Sequence, residues 1–274
     1  MSAFEFDPRA RDYSPANAYS LALLSDLAYS SKGVVKRRLK SWGFDEDAFD
    51  FFDRGDTQAF VTANDDCVLL AFRGTEQLLA DWLSDLHIHL TGGPLGKVHE
   101  GFAAGLNAVW LDVLQALRDL QAEDRDAGRP PRTLWVTGHS LGAALATLAV
   151  AKLIERAEPV DGLYTYGSPR CGDADFSAAF DARFSSAYRI VNRNDVVTRV
   201  PLRPLYRHVG TVKYIDDNGV LRGEDGWQAF LRSARYAVED LQALKVGAVK
   251  DHLIDQYTAA LDKLRAPAVA MPVG

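Results

Sequence analysis

The chain has 274 residues, of which 47% are hydrophobic, and its formal net charge is -6. This is enough apolar sequence for a large core, at a length near the upper limit of one domain, so we expect a single domain over residues 1–274. There is no basic run or basic-aromatic stripe, which argues against nucleic acid as a partner, and the acidic balance argues against electrostatic docking on anionic membranes.

The N-terminal run "MSAFEFDPRARDYS" carries acids early and lacks a basic start followed by an apolar stretch, so we expect no signal peptide. No stretch approaches the roughly 20 apolar residues that span a bilayer, so no transmembrane segment is expected. The expected location is cytoplasmic if Met1 is the natural start, and secreted if a signal was removed. Cys67 and Cys171 fit no metal pattern; we expect two buried free thiols, with one disulfide as the alternative.

Apolar residues at helical spacing predict a first helix over Asn17 to Tyr29. The strand-like runs "QAFVTAN" and "CVLLAFRG", separated by three polar residues, predict a hairpin. The run "GFAAGLNAVWLDVLQALRDLQAE" has the period of a long amphipathic helix, and "AGRPPR" ends it. A short buried strand, "TLWVTG", follows, and an alanine-rich helix is predicted after Ser140.

Further strands are predicted over "GLYTYGSP" and "SAYRIVNRND". Between them, Asp173, Asp175 and Asp181 indicate a loose segment with solvated charges. The run "YRHVGTVKYIDDNGVLR" predicts a hairpin with a two-residue turn at Asn218-Gly219, and "KDHLIDQYTAALDKLR" predicts a closing amphipathic helix. Strands that alternate with helices predict an α/β fold with a mostly parallel sheet covered on both faces, and the early hairpin makes the sheet mixed.

Ser140 stands between the predicted strand and the alanine-rich helix, with a glycine two residues away on either side. A serine hydroxyl is a weak nucleophile that needs exposure and a neighbouring base. A sharp strand-to-helix turn supplies the exposure, and Gly138 and Gly142 relieve the crowding that such a turn creates. The helix N-terminus also favours negative charge beside the serine. We therefore predict a catalytic nucleophile at Ser140.

The order serine, acid, histidine along the chain is typical of this turn. Of the six histidines, only His208 and His252 lie far enough downstream. His208 falls inside the strand-like run "YRHVG", whereas His252 starts the last predicted helix, where a loop can bring it over the sheet end. We therefore prefer His252 as the base and interpret His99 and His139 as structural histidines.

Asp195 ends the strand-like run "YRIVNRND". Functional sites of parallel sheets collect at the carboxyl ends of their strands. We therefore predict that Asp195 is the acid of the triad, with a solvated loop aspartate as the alternative interpretation.

Several blocks of this sequence, in this order, resemble the class 3 lipases of the α/β-hydrolase fold. They run from about residue 60 to 257 and read "FRGT", "DWLSDL", "VHEGF", "VTGHSLGAALA", "YGSPRCG", "NRNDVVTRVP", "YRHVG" and "DHLIDQY". The family's triad falls on Ser140, Asp195 and His252. The chain differs from secreted fungal members in lacking a signal and several disulfides, and it has Ala143 where the family often has glycine.

The resemblance also implies an oxyanion hole and a lid. The oxyanion donors would be the backbone N–H groups of Thr75 and Leu141. The lid would cover about residues 76–86 and would have an apolar face. The alternative is that this segment is an ordinary surface helix packed on the core. The apolar lid residues are Leu78, Leu79, Trp82, Leu83 and Leu86.

The predicted activity is hydrolysis of carboxylic esters through an acyl-enzyme, most directly of acylglycerols at a lipid-water interface. This chemistry needs no metal or organic cofactor. A carboxylesterase, a phospholipase or a feruloyl-type esterase are alternatives within the same chemistry, since pocket shape decides among them. A catalytically silent lipase-like binding protein is an alternative of a different class.

Overall fold

The computed structural model describes residues 4–74, 89–233 and 247–265. The helices are α1 (Pro15–Leu27), α2 (Lys32–Ser41), α3 (Glu100–Asp126), α4 (Leu141–Glu155), α5 (Ala174–Asp181), α6 (Glu224–Ser233), α7 (Gly247–His252) and α8 (Ile254–Arg265). The strands are β1 (Phe49–Arg54), β2 (Thr57–Ala63), β3 (Cys67–Phe72), β4 (Leu90–Gly93), β5 (Gly96–His99), β6 (Thr133–His139), β7 (Gly162–Tyr166), β8 (Ala187–Asn192), β9 (Thr211–Ile215) and β10 (Leu221–Arg222).

The central sheet is mixed and mostly parallel, as the sequence predicts. Its eight strands are ordered β1-β2-β3-β6-β7-β8-β9-β10, and β4 pairs with β5 in a separate small sheet. Neighbours from β3 to β9 run parallel, whereas the outer pairs at both edges are antiparallel. The predicted hairpin of "QAFVTAN" and "CVLLAFRG" is confirmed as β2 and β3. Five parallel strands, β3, β6, β7, β8 and β9, therefore end at one edge of the sheet.

Helices cover both faces of this sheet. On one face α3, α4 and α5 bury a core that includes Phe102, Leu145 and Phe176. On the other face α1, α2 and α8 pack over a second core that includes Leu24 and Leu261. The central strand β3 is buried along its whole length, which explains its unbroken apolar run.

Local capping explains where several helices begin. Ser14 accepts a hydrogen bond from the Asn17 N–H, and Pro15 follows it at the first helical position, which is compatible with its missing N–H. The prediction of a loose segment near Asp173 is wrong. Asp173 caps α5 by accepting a hydrogen bond from the Phe176 N–H at 2.9 Å, so its carboxylate orders the segment.

The last hairpin forms as predicted, but with a longer turn. Ile215 pairs with Leu221, so five residues rather than two connect β9 and β10. The Asp216 carboxylate accepts hydrogen bonds from the N–H groups of Asn218 and Val220, and these bonds stabilise the wider turn. The helices α2, α5 and α6 and the strands β1, β4 and β5 were not predicted.

Two further expectations concern the cysteines and the membrane. Cys67 and Cys171 are both free and buried, which confirms the prediction of unpaired thiols. Within the described ranges, no helix is both long enough and apolar enough to cross a bilayer.

Candidate active site

Ser140 occupies the tight turn between β6 and α4. Its backbone has φ 58° and ψ -128°, a region that side-chain-bearing residues rarely adopt. A Cβ on Gly138 would lie 2.3 Å from the Gly142 oxygen, and one on Gly142 would lie 2.3 Å from the Phe72 oxygen. The two glycines therefore allow the helix, the turn and the neighbouring strand to pack closely enough to hold this conformation. This relief of crowding is the reason that the sequence analysis gave for the two glycines.

Ser140, His252 and Asp195 form one hydrogen-bonded chain. The Oγ of Ser140 lies 2.8 Å from Nε2 of His252, and Nδ1 of His252 lies 2.9 Å and 3.0 Å from the two carboxylate oxygens of Asp195. Because a carboxylate only accepts, Nδ1 carries the proton and Nε2 is free to accept the serine proton. The arrangement can remove a proton from Ser140 as it attacks an electrophile.

Two of these three residues follow the carboxyl ends of parallel strands, and the third lies in the C-terminal helices. Ser140 follows β6 and Asp195 follows β8, at the sheet edge where sites of parallel sheets collect. His252 is the last residue of α7, one residue before α8 begins, rather than at the start of a continuous helix. The Asp251 carboxylate accepts a hydrogen bond from the Asn194 N–H at 3.3 Å, which ties α7 to the end of β8.

Asp195 is held by donors other than His252. It is 1% exposed, so the alternative of a solvated loop aspartate is wrong. The Tyr257 hydroxyl donates to it at 2.6 Å, and the Val197 N–H donates at 2.9 Å. Burial alone raises the pKa of Asp195, but the His252 charge and the hydrogen bonds from His252 and Tyr257 bring this pKa below its usual value. The carboxyl group therefore stays ionised opposite His252.

Sequence reasoning did not identify Tyr257 as part of the site. Burial, and then the charge of Asp195, raise the pKa of Tyr257 well above its usual value, so the phenol remains a donor. Its hydroxyl also accepts a hydrogen bond from the Asn192 N–H at 3.1 Å. The helical period of "DHLIDQY" places Tyr257 on the core side of α8, and only its position in the fold shows that the hydroxyl reaches Asp195.

Replacing Tyr257 by phenylalanine is expected to lower kcat by about tenfold and to change KM little. The substitution removes one hydrogen bond to a charged group, typically worth about 1.5–3 kcal/mol, while the Val197 donor remains. The matched control is Tyr13→Phe, because the buried Tyr13 hydroxyl has no hydrogen-bond partner. Equal kcat values for Tyr257→Phe and the wild type would show that this bond does not position Asp195.

Gly167, which follows β7, is a second residue that sequence reasoning missed. Its φ of +58° favours glycine, and a Cβ at this position would lie 2.7 Å from Oδ2 of Asp195 and 2.9 Å from Nδ1 of His252. Any side chain here would therefore push the acid and the histidine apart. The block "YGSPRCG" that carries it was recognised only as part of the family pattern.

His139 is a structural histidine, as predicted. Its Nε2 lies 2.6 Å from the His252 carbonyl oxygen, so this nitrogen donates, and Nδ1 accepts from the Tyr29 hydroxyl at 2.8 Å. Burial, followed by the charge of His252, lowers the pKa of His139 to about 3. The imidazole is therefore neutral, and its hydrogen bond fixes the backbone at His252.

The neutral state of His139 predicts acid sensitivity. Its folded pKa lies below the value of about 6.5 expected in the unfolded chain, so unfolding takes up a proton between these two values. The free energy of unfolding should fall as the pH decreases through this window, by up to about 1.4 kcal/mol per pH unit from this residue. Urea titrations of the wild type and of His139→Gln would measure it. An unchanged slope in the variant would contradict the assignment.

His99 also has a structural role, since it caps α3 by accepting from the Phe102 N–H. His208 is not placed in a strand, which corrects the sequence interpretation. It precedes β9, and its Nε2 donates to the Thr198 carbonyl oxygen at 2.7 Å. His208 still takes no part in the triad, because His252 holds the position between Ser140 and Asp195.

The expected oxyanion donors are described only in part. Leu141 is the first residue of α4, and the first N–H groups of a helix have no intrahelical acceptor. Thr75 and the predicted lid, residues 76–86, lie outside the described residues. The chain reaches Thr75 from Gly74, where a Cβ would lie 3.2 Å from the Ser140 Cβ. The backbone therefore passes directly beside the serine immediately before Thr75.

This sheet order and site geometry define a class of protein, the α/β hydrolases. A triacylglycerol lipase of known structure, whose catalytic centre is a serine protease triad, superimposes with a TM-score of 0.62 at 25% identity, covering 75% of this chain and 81% of that one. A fungal lipase superimposes with a TM-score of 0.60 at 27% identity, covering 73% of this chain and 77% of the other.

Sequence comparison identifies the family. Residues 69–204 match the class 3 lipase model. A secreted mono- and diacylglycerol lipase A of Penicillium cyclopium is 33% identical over 61% of this chain and 55% of its own length. A chloroplastic phospholipase A(1) of Arabidopsis thaliana is 33% identical over 49% of this chain and 33% of its own length. The chain belongs to the class 3 lipase family, and it spans between a third and about half of the length of these relatives.

Proposed function

We propose that this protein is a serine hydrolase of carboxylic esters in which Ser140 is the nucleophile, His252 the general base and Asp195 the orienting acid. The observation that carries the proposal is the hydrogen-bonded chain from Ser140 Oγ through His252 to Asp195, at 2.8 Å and 2.9 Å. A fluorophosphonate should label Ser140 stoichiometrically. An unlabelled, folded protein would instead favour a catalytically silent binding protein.

The proposed reaction proceeds through an acyl-enzyme. His252 Nε2 takes the proton from Ser140 as the oxygen attacks the ester carbonyl, and then delivers it to the leaving alcohol. Water repeats the sequence and releases the acid. Asp195 keeps the proton of His252 on Nδ1 and stabilises the imidazolium that forms in both steps.

The N–H groups of Thr75 and Leu141 are the proposed oxyanion donors. The support is the start of α4 at Leu141 and the passage of Gly74 beside Ser140. Preorganised donors of this kind stabilise the charge that develops in the transition state, and the loss of one typically costs about 100- to 1000-fold in rate.

We also propose that one α/β-hydrolase domain contains the whole site. The triad combines Ser140 and Asp195 from the central sheet with His252 from the C-terminal helices. The first and last described helices pack in the same core on one face of that sheet. This arrangement supports the expectation of a single domain.

Acylglycerols are the proposed substrates. The relatives named above are a mono- and diacylglycerol lipase, a triacylglycerol lipase and a phospholipase A(1). Each of these names refers to an enzyme that acts on esters of glycerol. Rates on p-nitrophenyl esters of increasing chain length, followed by emulsified tri-, di- and monoacylglycerol and phosphatidylcholine, would separate lipase from phospholipase and carboxylesterase. Activity confined to short soluble esters would contradict the lipase assignment.

A lid over residues 76–86 is the last part of the proposal. Support comes from the class 3 lipase family to which the chain belongs and from the low exposure of Ser140, which is 3%. Exposure of the apolar lid residues to water is unfavourable by about 25 cal/mol per Å², and a lipid surface removes that cost, so the open state should gain population there.

Activity on a long-chain ester is therefore expected to rise when the substrate passes its solubility limit. Trp82→Ser should reduce that rise but leave the hydrolysis of a short soluble ester near the wild-type rate, because the triad is unchanged. The measurement is initial rate against substrate concentration across the limit. Simple saturation for both proteins would rule out an interfacial lid.

A further inference from the structure

A second set of contacts joins the two chain segments that carry the acid and the base of the triad. Asn194 precedes Asp195, and Asp251 precedes His252. The Asn194 N–H donates to the Asp251 carboxylate at 3.3 Å, and the side-chain amide of Asn192 donates to the Asp251 carbonyl oxygen at 3.0 Å. Residues beside the acid therefore bind the residue beside the base, in addition to the hydrogen bonds between Asp195 and His252 themselves.

The turn that carries Asn194 has a strained backbone. Arg193 connects the end of β8 to Asn194, and its φ of +43° lies in the left-handed region, which residues other than glycine rarely adopt. Such a conformation persists only where the surrounding structure holds it. The Arg193 N–H donates to the Ile215 carbonyl oxygen of β9 at 2.8 Å, which holds the first half of the turn. The second half, at Asn194, needs a contact of its own.

Arg199 provides this contact. It is the last residue of the short 3₁₀ turn Val197–Arg199 that follows Asp195, and its Nη2 donates to the side-chain oxygen of Asn194. This hydrogen bond closes a loop from Asn194 to Arg199 that encloses the triad acid. The same asparagine therefore accepts from Arg199 with its side chain and donates to Asp251 with its backbone.

The guanidinium group of Arg199 is held in place by its surroundings. Its central carbon lies 4.9 Å from the centre of the Phe230 ring of α6, in a cation–π contact. Burial lowers the pKa of Arg199, whereas the charge of Asp195 raises it, so the arginine and the triad acid attract each other. The Nε of Arg199 is buried without a hydrogen-bond partner, which an apolar side chain would avoid. The property that favours arginine here is therefore its charged donor to Asn194.

We propose that Arg199 is a positioning residue for catalysis, which acts through Asn194 to keep Asp195 and His252 at hydrogen-bonding distance. This role rests on the proposed function, since it presupposes the triad. Without the bond to Arg199, the strained turn relaxes, the Asn194 N–H moves away from Asp251, and the imidazole loses its alignment with the acid. A displacement of about 1 Å in an active site can cost about 100-fold in rate.

Arg199→Met keeps the apolar length of the side chain but removes its donor and its charge. Because Tyr257 and Val197 still donate to Asp195, the expected loss is about tenfold in kcat, with KM on a soluble p-nitrophenyl ester within about twofold of the wild type. Arg199→Lys retains a charged donor and should recover part of this loss. Wild-type kcat in Arg199→Met would overturn the proposal.

A double-mutant cycle tests whether Arg199 acts through Asn194. Asn194→Ala removes the same hydrogen bond from its acceptor side, so it also decides the matter if Arg199→Met does not fold. The double variant should lose no more kcat than Arg199→Met alone, because each single substitution already breaks the bond. Additive losses would show that the two residues act independently, and the proposal would be wrong.

Arg193→Met is the matched control for charge. It also removes a positive charge beside Asn194, but Arg193 is exposed, and its bond to Ile215 is made by the backbone N–H, which the substitution keeps. This variant should have the wild-type kcat. Equal losses in Arg193→Met and Arg199→Met would assign the effect to charge alone.

A second measurement does not depend on turnover. The proton that His252 Nδ1 shares with the Asp195 carboxylate should give a far-downfield resonance in the proton NMR spectrum, and Arg199→Met should shift this resonance upfield or broaden it by exchange. A wild type that hydrolyses no ester would contradict the proposed function. An unchanged resonance in folded Arg199→Met would instead contradict the positioning role and leave the proposed function intact.

Discussion

Ser140→Ala is expected to reduce ester hydrolysis by at least about 10⁴-fold, because the variant keeps the proposed oxyanion donors but has no atom to form the acyl-enzyme. The fold should be unaffected, since the Ser140 side chain makes its hydrogen bond to His252 and does not cap α4. The measurement is kcat/KM on a soluble p-nitrophenyl ester, with circular dichroism and Tm as checks on folding.

Ser41→Ala is the matched control, because Ser41 is exposed at the end of α2 and its hydroxyl donates to the Arg38 carbonyl oxygen within the same helix. It should have the wild-type rate. If folded Ser140→Ala kept more than a few per cent of the wild-type turnover, the nucleophile would have to be another residue, and the proposed function would lose its central residue.

His252→Ala is expected to have a loss of similar size, because no other base lies within hydrogen-bond distance of Ser140 among the described residues. His208→Ala should keep activity within about tenfold of the wild type per folded molecule, although its stability should fall, since the bond to the Thr198 carbonyl oxygen is lost. The two variants therefore separate a catalytic histidine from a structural one.

Rates should be divided by the folded fraction, measured by denaturant titration, so that instability is not mistaken for lost chemistry. The reverse ranking, with His208→Ala inactive and His252→Ala active, would refute the triad. Equal and small losses in both variants would indicate a mechanism that needs neither imidazole.

The sequence predicted the elbow well because the requirement there is local. Gly138 and Gly142 flank Ser140 within one turn, and the steric reason for both glycines depends only on the backbone that joins a strand to a helix. The sequence also predicted the positions of the acid and the histidine, since Asp195 and His252 lie beside elements whose apolar patterns are strong. The same patterns predicted a mostly parallel sheet with an antiparallel edge.

Other elements could not be read from pattern alone. The segment after Asp173 contains little sustained apolar periodicity, and its helix depends on a side-chain cap and on packing of Phe176 against the core. His208 has strand formers around it, yet the chain there is held by the Thr198 carbonyl oxygen rather than by a neighbouring strand.

What the sequence by itself determined is therefore the nucleophile, its turn and the order of its partners, because each depends on neighbours in the chain. Only the tertiary structure decided which groups surround them. Tyr257 and Gly167 meet Asp195 across long sequence separations. The physical reason is that hydrogen bonding, steric exclusion and desolvation act through space, whereas composition and periodicity record only positions along the chain.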